Sequence, residues 1–141
     1  MSRWTQPWML PALLMACLGS VHVAWACSCA YSSPEERRDR SDVVFVGRVI
    51  ALQKEKQARR YTFEVSQVLK GSSRQRITVG SSGPGSACGS FFDQGTAYLI
   101  YAYGGADEFR TNVCQGNPPV DSPPGREEIA ALRRPEDSAK P

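Results

Sequence analysis

The stretch VVFVGRVIAL at residues 43–52 decides the fold class of this chain. It is rich in β-branched residues and apolar at successive positions, which is typical of a strand buried on both faces. A glycine inside a strand often marks a bulge or bend of the kind that barrels use. We therefore predict a long buried strand with a bend at Gly47.

The sequence after this stretch carries the pattern of a second strand. Apolar and polar side chains alternate from Tyr61 to Leu69, which is the period of a strand with one buried face. We interpret the charged residues 53–60 as the hairpin loop between the two strands, and residues 70–73, KGSS, as the next turn.

Three further strands are predicted at residues 75–79, 96–103 and 109–114. The second of these reads TAYLIYAY and is again apolar on both faces. A glycine-rich segment at residues 80–89 is interpreted as a loop, and a Gly104-Gly105 turn precedes the last strand. Five short strands favour a closed Greek-key barrel of the OB-fold type, because closure removes the edges that open strands would expose.

Short helices are predicted on either side of the strands. Ser33 is a good N-cap, Pro34 suits the first helical position and acidic residues follow, so a helix is predicted through Arg40. A proline-rich connector at residues 118–124 leads to a second helix at residues 126–133. Its small apolar face is formed by Ile129, Ala130 and Leu132. The expected fold is mainly β: a five-stranded Greek-key OB-fold barrel with short N-terminal and C-terminal helices, stapled by disulfides.

The first 26 residues have the composition of a signal peptide. Arg3 supplies a positive start, residues 8–23 are mostly apolar, and Ala24-Trp25-Ala26 forms a cleavage signal before Cys27. We divide the chain into a signal peptide at residues 1–26, one domain at residues 27–134 and a disordered tail at residues 135–141. The expected location is secreted, either extracellular or periplasmic.

A second cleavage signal competes with the first. Leu14-Met15-Ala16-Cys17 resembles a lipobox, whose use would lipidate Cys17 and tether the protein to a membrane. We favour cleavage after Ala26 because it uses the whole apolar stretch, whereas the lipobox would truncate it. No membrane partner is expected unless Cys17 is lipidated.

The composition of the mature chain argues against most catalytic sites. His22 is the single histidine and belongs to the leader, so Ser-His-Asp and Cys-His arrangements and histidine-based metal sites are excluded. The mature formal charge is 16 − 14 = +2, because the 17 basic residues include Arg3 and the leader holds none of the 14 acidic residues. So small a charge does not indicate a nucleic-acid partner. We expect a protein that is not an enzyme and that has no cofactor of its own.

Four cysteines remain after the leader, namely Cys27, Cys29, Cys88 and Cys114. An even number in a short secreted chain predicts a disulfide framework. A bridge between Cys27 and Cys29 would close a small strained ring, so each is expected to reach a distant partner. Cys27–Cys88 with Cys29–Cys114 and the crossed pairing are both possible. A four-cysteine metal site is disfavoured because the paired C-x-x-C spacing is missing.

Several short motifs in a fixed order carry a family resemblance. They are Cys27-Ser28-Cys29, residues 41–47 (SDVVFVG), residues 61–65 (YTFEV), Lys70-Gly71, Cys88-Gly89 and residues 98–101 (YLIY) before Cys114. In this order the chain resembles the inhibitory domain of the tissue inhibitors of metalloproteinases, within the netrin-like module superfamily. The animal inhibitors carry a further disulfide in this domain, which the four cysteines here do not supply.

The resemblance implies an OB-fold with the pairing Cys27–Cys88 and Cys29–Cys114. It also implies a mechanism, in which the α-amine and carbonyl of Cys27 chelate the catalytic zinc of a target protease and Ser28 enters its specificity pocket. The implied partner is a secreted or surface zinc metalloprotease, and that zinc is the only metal involved. The remaining contact edge would be formed by Ala30, Tyr31, Ser86 and Ala87. We expect a monomer.

Two other functions stay open. In the first, the protein is a non-inhibitory netrin-like binding or adhesion module whose contact surface is either the barrel face or Tyr98, Tyr101 and Tyr103. Tyrosines on a strand more often pack in the core or at its rim than form a recognition patch. In the second, the barrel binds oligonucleotides, which requires a basic groove with aromatic platforms. The basic side chains at residues 54–60 make only one charged loop, which argues against the second function.

Overall fold

The computed structural model describes residues 26–83, 85–105 and 108–133 of the chain. The predictions for the leader at residues 1–25, for lipidation of Cys17 and for the tail at residues 135–141 lie outside these ranges. In the described ranges, no helix has the length and apolar character needed to cross a membrane.

The described ranges contain five strands, two α-helices and one short 3₁₀-helix. In chain order they are α1 (Pro34–Arg40), β1 (Val43–Lys54), β2 (Ala58–Lys70), β3 (Arg76–Ser82), β4 (Ala97–Gly105), β5 (Glu108–Arg110), the 3₁₀-helix (Val113–Gln115) and α2 (Pro123–Arg133).

The five strands form one closed barrel in the order β1-β2-β3-β5-β4. Strand β1 pairs antiparallel with both β2 and β4, while β3 and β5 form a parallel pair at Val79 and Phe109. The long connection between β3 and β4 carries the chain across the barrel, so β5 inserts between them. This arrangement confirms the predicted barrel of the OB-fold type with short helices.

The predicted bend at Gly47 is present in β1. The pairing register between β1 and β2 shifts between Val46 and Gly47. A Cβ atom at this position would lie 3.0 Å from the Phe45 ring and 3.1 Å from the Glu64 carbonyl oxygen. Glycine avoids this crowding, because the bend brings β2 backbone against β1.

A cluster of aromatic rings packs in the barrel interior. The Phe92 ring centroid lies 5.0 Å from those of Tyr61 and Tyr98, and Phe63 lies 5.6 Å from Phe45. All of these contacts are edge-to-face, an arrangement that stabilises ring pairs beyond their burial alone.

A second apolar layer lies outside the barrel, between the sheet and α2. It consists of Val44, Val46, Leu99, Tyr101, Ile129 and Leu132. Residues 43–47 of β1 and 98–102 of β4 therefore bury one face in the barrel and the other beneath a helix. This explains why the sequence of both strands is apolar at successive positions. The predicted burial of residues 43–52 on both faces was wrong beyond Gly47, because the outer face of β1 is exposed from Arg48 onward.

The first hairpin is longer and its turn shorter than predicted. Strand β1 continues to Lys54 and β2 begins at Ala58, so the predicted loop at residues 53–60 reduces to three residues. Pairing continues from Gln53 opposite Arg60 to Lys54 opposite Arg59. The charged side chains did not end the strands, because backbone pairing does not require a buried side chain.

Other predicted boundaries are also wrong. Strand β4 runs to Gly105, so the predicted Gly104-Gly105 turn is part of the strand. Strand β3 runs on to Ser82 instead of ending at Val79, because Gly80 pairs with both neighbouring strands. Strand β5 ends at Arg110, and the rest of the predicted strand turns into the 3₁₀-helix. Helix α2 begins at Pro123 within the predicted connector, since proline lacks only an N–H that the first helical turn does not use.

The buried face of α2 also differs from the prediction. Gly125, Ile129 and Leu132 are buried, whereas Ala130 is exposed. Residues 125, 129 and 132 are spaced at four and three positions and so share one side of a helix, which position 130 does not.

Candidate functional site

Residues 26–33, here called the strap, have no regular secondary structure. Two disulfides fix the strap, Cys27–Cys88 and Cys29–Cys114, each with 5.2 Å between the Cα atoms. This is the pairing that the family resemblance implies, and the crossed pairing is not formed. Ser28 lies between the two bridged residues and is exposed.

The two anchor points of the strap are joined to each other. The backbone N–H of Val113 donates to the carbonyl oxygen of Cys88 at 3.0 Å. The N–H of Cys114 donates to the Asn112 side chain at 2.9 Å, which caps the 3₁₀-helix. Both disulfides therefore attach the strap to one hydrogen-bonded platform.

The loop that carries Cys88 is tied down on both sides of the cysteine. The N–H of Cys88 donates to Ser86 Oγ at 3.3 Å. Two residues further on, the N–H of Ser90 donates at 2.7 Å to Oγ of the buried Ser81 on β3. The position of Cys88 thus follows from the barrel itself.

The predicted contact residues have different surroundings. Ala30 and Ala87 are exposed, and Tyr31 exposes 96% of its surface. Ser86 is half-buried, and its hydroxyl is occupied in holding Cys88. The Cys27–Cys88 bridge joins the strap to the loop of Ser86 and Ala87, so the two parts of the predicted edge are covalently linked.

A charged network beside the strap was not predicted. The Arg37 guanidinium on α1 donates to the Glu128 carboxylate on α2 at 2.6 Å and to the Gln115 carbonyl oxygen at 2.8 Å. It also lies 4.8 Å from the ring centroid of Tyr101, whose hydroxyl donates to Glu128 at 2.9 Å. One side chain thus joins both α-helices, the barrel and the residue after Cys114.

Gly116 makes room for this network. Its φ is 78°, a value that favours glycine, and a Cβ atom there would lie 2.6 Å from Nη1 of Arg37. No spacing pattern links Arg37, Glu128 and Gly116 in the sequence. Each is typical of surface helix or turn positions when considered alone, so sequence reasoning had no signal for the network.

Burial raises the pKa of Tyr101 well above its ordinary value, and the neighbouring Glu128 carboxylate raises it further. Tyr101 is fully buried, and its hydroxyl donates a hydrogen bond to the Glu128 carboxylate. Ionisation of the hydroxyl would place a negative charge on Tyr101 next to the negative charge of Glu128. The folded protein therefore retains the Tyr101 proton at pH values where an unfolded tyrosine releases it.

This difference predicts a loss of stability in alkali. The contribution of Tyr101 is fully present below a pH of about 10 and falls above it, by about 1.4 kcal/mol per pH unit, because only the unfolded chain then loses the proton. Denaturant unfolding followed from about pH 9 to about pH 11 should show a weaker decline for Tyr101→Phe than for the parent. Tyr103→Phe is the matched control, since this exposed side chain should leave the slope unchanged.

The alternative surface formed by three tyrosines is not present. Tyr98 and Tyr101 are buried, and only Tyr103 is exposed, at 37%. The Tyr98 ring belongs to the barrel core, and its hydroxyl accepts a hydrogen bond from the N–H of Asp93 at 3.0 Å. Core packing, which is the usual role of tyrosines on a strand, is confirmed for Tyr98 and Tyr101.

Two basic side chains of the first hairpin contact acidic or aromatic neighbours. Arg60 lies 3.2 Å from Glu55 and 3.8 Å from Glu108. The Arg59 guanidinium lies 4.6 Å from the Phe91 ring centroid. These contacts oppose the basic groove that oligonucleotide binding would need.

The barrel and its two bridges define the class of this protein as a small, disulfide-stapled barrel of the OB-fold type. No protein-family model matches the chain, and no curated protein matches it.

Proposed function

We propose that the protein is a secreted inhibitor of a zinc metalloprotease. The α-amine and carbonyl oxygen of Cys27 bind the catalytic zinc of the target, and the Ser28 side chain enters its specificity pocket. One observation carries the proposal: Ser28 is exposed on a strap that is bridged to a single platform on both sides.

The chemistry of an α-amine suits this role. Its pKa of about 7.7–8.0 lies close to neutral pH, so a lone pair becomes available to a metal at small cost. A catalytic zinc keeps one coordination position for water or substrate. An amine and carbonyl pair in that position displaces the water that attacks the peptide, and hydrolysis stops.

Inhibition by the strap also requires that the strap is fixed before binding, and the disulfides fix it. A peptide that is flexible before binding loses conformational freedom on association, and this loss weakens the complex. Here Cys27 and Cys29 are both bridged, so the residue between them is held before it meets a protease. The strap therefore binds with a smaller loss of entropy than a free peptide of the same sequence.

The proposal includes export and cleavage after Ala26. Two disulfides are compatible with an extracellular location, since disulfides persist in oxidising compartments. Cleavage after Ala26 frees the amine of Cys27, which is otherwise part of an amide. Resemblance to the tissue inhibitors of metalloproteinases supports the same assignment.

A panel of purified zinc metalloproteases tests the proposal, with serine proteases included as a control class. The protein should begin at Cys27, as shown by amino-terminal sequencing, and carry both bridges. We expect inhibition of one or more metalloproteases and of no serine protease. Absence of inhibition across a broad panel by this folded form would overturn the proposal and favour a binding module.

Substitution of Ser28 is predicted to change which proteases are inhibited. One methylene more or less in a hydrophobic pocket changes discrimination by about 10–200-fold, so Ser28→Gly and Ser28→Leu should shift the inhibition constants in different directions for different proteases. The control is Ser73→Leu, because Ser73 is also exposed but lies in the turn between β2 and β3. Equal inhibition profiles for Ser28→Leu and Ser73→Leu would contradict the pocket role.

A further inference from the structure

The two disulfides that hold the strap lie in contact with each other. The Sγ atoms of Cys27 and Cys114, which belong to different bridges, are 3.9 Å apart. The Sγ atoms of Cys27, Cys29 and Cys114 all lie within 4.8 Å of one another. Reacting atoms in a near-attack arrangement are about 3–3.5 Å apart, so a small movement brings one bridge into reacting distance of the other.

One of the two bridges is open to solvent. Cys29 is exposed, whereas Cys27, Cys88 and Cys114 are half-buried. A shallow cavity of about 390 Å³ lies beside the Cys29–Cys114 bridge, with Arg37 and Tyr31 among its lining residues. An external thiol thus has access to Cys29 and to the cavity next to it.

Exposure of the two sulfurs favours one direction of exchange. Cys29 is exposed and Cys114 is half-buried, so an external thiolate reaches the Cys29 sulfur more readily. The rate of disulfide exchange depends on access to the attacked sulfur. Attack at Cys29 with departure of Cys114 is therefore the favoured direction.

We infer that the Cys29–Cys114 bridge is a thiol-exchange site whose reaction is passed on to the Cys27–Cys88 bridge. An external thiolate attacks Cys29 Sγ, forms a mixed disulfide and releases the Cys114 thiolate. The Cys114 thiolate then attacks Cys27 Sγ, 3.9 Å away, and Cys88 leaves as a thiolate.

Bonds and electrons balance in this sequence. Two disulfides are present at the start, and two at the end: the mixed disulfide on Cys29 and a new Cys27–Cys114 bridge. One thiolate enters with the external thiol, and one leaves on Cys88. No oxidant is needed, and the co-reactant is any accessible thiol.

The exchange moves the strap from one anchor to another. Cys27 is released from the loop of Cys88 and becomes attached to the 3₁₀-helix, while Cys29 carries an external group beside Ser28. The expected consequence is loss of inhibition in reducing surroundings, and this consequence alone rests on the proposed function. The exchange itself follows from the sulfur positions.

The experiment is a brief treatment of the oxidised protein with glutathione, followed by trapping with iodoacetamide and disulfide mapping by mass spectrometry. Fragmentation between Cys27 and Cys29 distinguishes the two positions. We expect glutathione on Cys29, a Cys27–Cys114 bridge and the alkyl label on Cys88, with about tenfold less label on Cys114. Label on Cys114 with an intact Cys27–Cys88 bridge would overturn the inference, as would first attack on Cys27–Cys88.

The double variant Cys27→Ser with Cys88→Ser is the matched control. It keeps the exposed bridge but removes the second acceptor, so the label should move to Cys114. Disulfide mapping of the parent protein needs no variant to fold and no protease to be inhibited. An inactive protein with the expected map would refute the inhibitor proposal alone, and an active inhibitor without the exchange would refute this inference alone.

Discussion

A chain with one alanine added ahead of Cys27 is expected to lose inhibition by about three orders of magnitude or more. The added residue converts the amine into an amide, whose nitrogen lone pair is delocalised and does not bind zinc. Loss of a central contact in an interface costs about 4–8 kcal/mol in the strongest cases, and each 1.4 kcal/mol is tenfold in affinity. Inhibition constants of both forms against the same metalloprotease measure the effect.

The extended chain must stay folded for this comparison to be valid. The strap is held by its side-chain bridges rather than by its amine, so both disulfides and the thermal midpoint should be unchanged. Acetylation of the Cys27 amine blocks the same lone pair without adding a residue and should have the same effect. Full inhibition by both blocked forms would show that the amine is not a zinc ligand.

Replacement of Arg37 by Met is expected to cost about 3–5 kcal/mol of unfolding free energy, because it leaves the Glu128 carboxylate buried without its ion pair. The two side chains are only 11% and 16% exposed, so water replaces the lost partner poorly. The hydrogen bond to Gln115 is lost as well, which loosens the segment that carries Cys114. Urea unfolding of the oxidised protein measures the difference.

The matched control lies on the same helix. Arg40 pairs with Glu36 at 3.8 Å, but both side chains are more than half exposed, so Arg40→Met should cost less than about 0.5 kcal/mol. The double variant Arg37→Met with Glu128→Leu should recover much of the loss, since no buried charge remains unpaired. Equal costs for Arg37→Met and Arg40→Met would mean that the buried network does not stabilise the fold.

The barrel was predictable because the order of apolar and polar residues in each strand indicates which of its faces are buried. Residues 43–47 and 98–102 are buried on both faces, because they lie between the barrel interior and the layer beneath α2. Residues 61–69 alternate because β2 has one outer face in solvent. Gly47 marked the bend because a Cβ at this position would crowd the Glu64 carbonyl oxygen.

Strand and helix ends were less predictable, for a physical reason. Side-chain patterns report burial, whereas the ends depend on backbone pairing, as in the charged hairpin from Lys54 to Ala58. Helix α2 likewise began earlier because the first turn tolerates Pro123 and Pro124. Neither feature changes the burial pattern of the sequence.

The candidate site was predictable only in part. Cysteine count and family resemblance led to the strap and its bridges, but the close approach of Cys27 to Cys114 depends on how the two bridges pack. Arg37 and Glu128 are 91 positions apart, and no local pattern connects them. Contacts of this kind follow from the assembled fold and leave no trace in a single sequence.

The most direct test of the account is the visible absorption spectrum of a cobalt-substituted target metalloprotease, recorded with the protein that begins at Cys27. The visible absorption of cobalt in a zinc site depends on the ligands of the metal. Replacement of the bound water by an amine and a carbonyl therefore changes both the coordination and the spectrum. We predict a stoichiometric spectral change with the free-amine form and none with the alanine-extended form. Inhibition of the cobalt enzyme with an unchanged spectrum would contradict the account.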